Sequence, residues 1–80
     1  MIEIAIETIG WAAALLILAS YALLSSGRLA ATSRTYQWMN VAGALGFIVN
    51  SGWNGAYPSA ALNVAWAGIG LATLWRVARN

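Results

Sequence analysis

The chain has 80 residues, 61% of them hydrophobic and 8% charged, and a formal net charge of +2. A soluble domain carries about 25% charged residues, and a short chain this poor in charge would present large apolar patches to water. The composition therefore reads as a membrane protein of one domain at most. The absence of Cys excludes a disulfide framework, a thiolate nucleophile and thiolate-held metal. The absence of His removes the usual general base and the commonest metal ligand. No catalytic residue, metal or cofactor is expected, and the chain does not read as an enzyme. Arg28, Arg34, Arg76 and Arg79 are scattered rather than gathered on one face, so no nucleic-acid partner is expected.

Three apolar spans follow in chain order. The first runs from about residue 5 to residue 25 and holds no charge after Glu7. Its acidic start (Glu3, Glu7) and its length argue against a cleaved signal peptide. A polar link of residues 25–35 follows, in which Gly27 suits a left-handed helix end and Thr32 or Ser33 suits an N-cap. The second span covers about 36–53. Asn54-Gly55-Ala56-Tyr57-Pro58 makes a turn, with Pro58 suited to a first helical turn. The third span covers about 59–75 and ends at Arg76 and Arg79. The expected fold is an all-α integral membrane bundle of three transmembrane helices.

Faces can be read from spacing. Asn40, Gly43, Phe47, Asn50, Ser51 and Asn54 share one side of the second helix. Ser59, Asn63, Trp66, Gly70 and Thr73 share one side of the third. Such stripes are expected to face each other, because an amide turned to hydrocarbon is left unpaired. The small pairs Gly10/Ala14, Ala42/Gly46 and Gly68/Ala72 allow close helix approach. Arg28 and Arg34 in the first link, with Arg76 and Arg79 at the end, act as topology anchors. They place the N-terminus outside and the C-terminus in the cytoplasm of a bacterial inner membrane. Trp11, Tyr36, Trp38, Trp53, Tyr57 and Trp75 near the span ends suit interfacial belts, whereas Trp66 lies mid-span.

Ile9-Gly10 in the first helix, the basic Ser-rich link, and Tyr57-Pro58 followed by Asn63 together resemble the SemiSWEET family. These are bacterial three-helix half-transporters that pair around a sugar. The chain resembles still more an uncharacterised family of short three-helix bacterial membrane proteins related to them. The resemblance implies a SemiSWEET-like triple-helix bundle, with Asn63 at the position of a sugar-pocket Asn and Phe47 at that of a pocket Trp. The chain departs from the family pattern at Leu23-Leu24, where SemiSWEET proteins carry a Pro-Gln hinge.

The candidate solute or interhelical polar site is Asn63, Phe47, Trp66 and Asn50. Asn63 serves either a solute or an interhelical clamp, and Trp66 with Phe47 serves either a stacking pair or packing bulk. Glu7, in the first turn, serves either to carry a proton or to complement the helix dipole, and its interfacial place with no evident buried partner favours the second. The unbroken first helix favours a rigid accessory or scaffold subunit. Its expected partners are the lipid bilayer and a larger membrane complex, for example photosynthetic or respiratory. The competing reading is a homodimeric half-transporter for a small neutral solute.

Overall fold

The three uncharged runs become three helices in a computed structural model that describes residues 1–79. They are α1 (Ile2–Ser25), α2 (Arg34–Trp53) and α3 (Tyr57–Arg79). At about 1.5 Å per residue their lengths are roughly 30–36 Å, close to the thickness of a bilayer core. The expected ends at residues 25 and 53 hold, whereas α2 begins at Arg34 and α3 at Tyr57, each two residues before its expected start. Both α1 and α3 extend further, α1 back to Ile2 and α3 from Tyr57 through Arg79.

The caps follow from residue chemistry. Ser33 caps α2, its hydroxyl accepting a bond from the Tyr36 N–H at 2.9 Å. This satisfies one of the orphan donors of the first turn. α1 and α2 end in the same way. Gly27 takes φ +80° and Gly55 takes φ +76°, the left-handed region that glycine enters without Cβ strain. The Arg28 N–H then reaches the Leu23 carbonyl at 2.9 Å, and the Ala56 N–H reaches the Ser51 carbonyl at 2.8 Å. Each is the long bond of a Schellman motif, and each reverses the chain within a few residues.

α2 is the inner helix. It packs against α1 on one side and α3 on the other, and α1 and α3 do not meet among the described residues. The buried apolar residues are mostly small: Ile6 and Ala13 of α1, Val41 and Ala44 of α2, Ala67 and Leu74 of α3. Glycine sets the spacing. A Cβ on Gly46 would lie 2.8 Å from the Ala13 Cβ, and one on Gly70 would lie 2.8 Å from Val41 Cγ2. Of the predicted small pairs, Gly10 and Gly46 serve the α1–α2 seam, whereas Gly68 and Ala72 face outward and Gly68 has nothing near it.

α1 and α3 are long and apolar enough to cross a membrane, and α2 does not qualify. This narrows the expectation of three transmembrane helices to two candidates. The reason lies in α2 itself, where Arg34, Gln37, Asn40, Asn50 and Ser51 dilute the apolar residues. A helix flanked by two others has neighbours to receive such groups and needs less apolar surface of its own.

The glycine contacts make a graded prediction. Gly46→Ala forces Ala13 away and is expected to cost about 1–3 kcal/mol, the usual penalty for overpacking. Gly68→Ala meets no neighbour and is expected to be neutral or slightly stabilising, since Ala is the better helix former. Reversible unfolding of both variants in detergent micelles checks the order.

Candidate functional site

A hydroxyl in α1 and an amide in α2 are the most buried polar side chains, with Ser20 at 1% exposure and Asn40 at 4%. Neither is tolerable in an apolar interior without partners. Asn40 finds them on all three helices. Its amide nitrogen donates to the Tyr36 carbonyl at 2.9 Å on its own helix and to Ser20 Oγ of α1 at 3.4 Å. Its amide oxygen accepts the Trp66 indole N–H of α3 at 3.3 Å. Ser20 in turn donates to the Ile17 carbonyl at 2.8 Å. Side chains from α1, α2 and α3 are thus joined through one amide.

Two further ties hold the opposite end. The Asn50 amide donates to the Ile6 carbonyl of α1 at 3.0 Å, and the Ser51 and Ser59 hydroxyls pair at 3.0 Å between α2 and α3. Asn50 fits only because Gly10 has no side chain, since a Cβ there would lie 2.5 Å from Asn50 Nδ2. No buried side-chain nitrogen or oxygen lacks a partner among the described residues.

These contacts correct the expectation that the polar stripes of the second and third helices face each other throughout. Gly43 meets Ile17, and Asn50 bonds to Ile6, so both turn to α1. Ser51 and Asn40 do meet α3, at Ser59 and Trp66. A helix between two neighbours must divide its stripe between them.

The four candidate residues separate. Phe47 and Asn50 line one cavity of about 270 Å³ with Glu7, Gly10, Trp11 and Ala14. Trp66 lines another, of about 210 Å³, with Asn40, Tyr36 and Gln37. Trp66 and Phe47 therefore line different cavities within this chain. Asn63 is half-buried on the α3 stripe, and its amide donates to the Ser59 carbonyl of its own helix at 2.9 Å. Sequence reading missed Ser20 as a contact residue. The signal was present, for a single hydroxyl deep in an apolar run needs a partner.

The charges lie at opposite ends. Thr32 of the first link and Arg76 of α3 line one small cavity, so the link and the end of α3 share one end of the molecule. Arg79 there stacks on Trp75, its guanidinium carbon 4.5 Å from the ring centroid. Glu3 and Glu7 stand with Trp53 and Asn54 in a cavity of about 320 Å³ at the other end. Among the described residues no group of three or more metal-ligating side chains occurs.

The chain is thus an all-helical protein of three helices with two membrane-grade helices and an internal polar clamp. An uncharacterised protein family matches residues 6–80, and the chain belongs to that family. No curated protein and no solved structure matches it.

The bonding pattern distinguishes two asparagines. Asn50→Ala removes a tie between helices and is expected to cost roughly 0.6–2 kcal/mol, the range for such bonds in apolar surroundings. Asn63→Ala removes a bond within one helix and is expected to leave stability nearly unchanged. Thermal unfolding in one detergent, compared with the parent, reads both.

Proposed function

We propose that the chain is a three-pass membrane protein that serves as a small accessory subunit against a larger membrane assembly. All three helices cross the bilayer in this reading, with the N-terminus outside and the C-terminus in the cytoplasm of a bacterial inner membrane. α2 crosses as the inner helix, its polar side chains bonded to its neighbours. The arginines at one end of the bundle support the orientation, since cytoplasmic ends carry the excess of Lys and Arg.

The observation that carries the scaffold reading is the closed hydrogen bonding of the seam. Asn40, Ser20 and Trp66 spend their polar groups on each other, which favours a rigid triplet over a hydrated path. α1 runs unbroken through Leu23-Leu24, without a Pro or Gly bend. The outward faces offer Leu15 and Leu18 of α1 and Leu62 and Ile69 of α3, all more than half exposed and suited to lipid or to another membrane protein.

One observation favours the alternative, a SemiSWEET-like homodimeric half-transporter for a small neutral solute: Phe47 and Asn50 line a common cavity. Purification from native membranes in mild detergent separates the two. The scaffold reading expects the chain to travel with a larger complex, whose yield falls when the gene is deleted. Isolation as a free dimer, with solute uptake in liposomes, overturns it. Orientation is read separately by an Ala56→Cys variant, since the native chain has no other Cys. A membrane-impermeant thiol reagent is expected to label it from outside, and labelling only from the cytoplasmic side reverses the topology.

A further inference from the structure

We propose that the trench along the α1–α2 seam binds a hydrophobic organic cation, a quaternary ammonium with a short apolar tail. Two cavities carry the inference. The one at the end of the bundle is lined by Glu3, Glu7, Asn50, Trp53 and Asn54, and the one below it by Glu7, Gly10, Trp11, Phe47 and Asn50. Glu7 and Asn50 line both, so the two adjoin in one trench along the α1–α2 seam, with the Asn50 side chain crossing from α2 to α1 where they meet. From Glu3 to Ala14 it runs for about 16 Å along α1 at 1.5 Å per residue.

The chemistry changes along its length. The upper part holds carboxylates and Trp53. The lower part is walled by Trp11, Phe47 and Ala14, and the Asn50 side chain, seated over Gly10, forms its floor. Glu3 is 3.3 Å from the chain's own amino group. Glu7 has no hydrogen bond or ion pair among the described residues. The arginines cannot supply one, for they stand at the other end of the bundle. An unpaired carboxylate in cavities lined by aromatic side chains attracts a weakly hydrated cation, by charge and by cation–π contact. The apolar lower part then takes the tail.

The test uses the full chain in nanodiscs of neutral lipid, with 6-bromohexyltrimethylammonium as the probe. Its bromine quenches tryptophan emission from the tail end, close to Trp11. Saturable quenching is expected. Glu7→Gln, an exposed substitution that leaves the helix intact, is expected to weaken apparent affinity by roughly tenfold, as one close charge pair at an interface implies. Glu7→Asp is expected to restore most of it. A Trp11→Leu variant is expected to lose most of the saturable quenching, which places the tail in this trench. The uncharged counterpart, in which a carbon replaces the ammonium nitrogen, is expected to quench without saturation, as it would from the bilayer at large. Non-saturable quenching by the cation, or equal affinity in the parent and Glu7→Gln, overturns the proposal. Saturable binding of the uncharged counterpart at equal affinity also overturns it and makes the trench a lipid groove.

Discussion

The Asn40 amide is the constraint on which the arrangement depends. It is almost fully buried and touches polar groups of all three helices. An amide in apolar surroundings costs several kcal/mol unless its donors and acceptor are met. Ser20 and Trp66 meet them, and in doing so fix the register of α1 and α3 against α2. The glycines act with this bond. Gly43, Gly46 and Gly70 let the backbones approach closely enough for short polar side chains to reach across. A bulkier seam would leave Asn40 and Asn50 out of reach of their partners.

The inner position of α2 also explains its composition. α1 and α3 each have one neighbouring helix and an outer surface rich in Leu, Ile and Trp, and they are the two helices apolar enough to cross a membrane. α2 carries the asparagines and the glycine seam. Hydropathy alone ranks it lowest because its composition includes Asn40, Asn50 and Ser51, whose polar groups bond to the neighbouring helices. On the membrane reading proposed above, the bundle hides its polarity in the middle and shows apolar side chains outward. The carboxylates and arginines stand at opposite ends, and the carboxylate end opens into the α1–α2 trench.

Much of the fold was legible in the sequence because it is set locally. The uncharged runs gave the helices, and Ser33, Gly27 and Gly55 gave their ends, since capping and left-handed turns depend on one or two residue types. The division of the α2 stripe was not legible. Spacing shows that Asn40, Gly43 and Asn50 share a side, but one helical side can serve two neighbours, and the choice depends on where those neighbours lie. For the same reason Phe47 and Trp66 looked like a pair from spacing and lie in different cavities. Asn63 stood out by its place in the chain and by a resemblance, yet it bonds to its own helix, a local option that every Asn in a helix has.

The most direct test of this account is a double-mutant cycle between Asn40 and Trp66, read by unfolding in one detergent. Asn40→Ala and Trp66→Phe each remove one side of the α2–α3 bond, and the double variant removes both. The account predicts a coupling energy of about 0.6–2 kcal/mol, the range for interhelical hydrogen bonds in apolar surroundings. Strict additivity of the two single effects would contradict it, because the amide would then not be what ties α3 to α2.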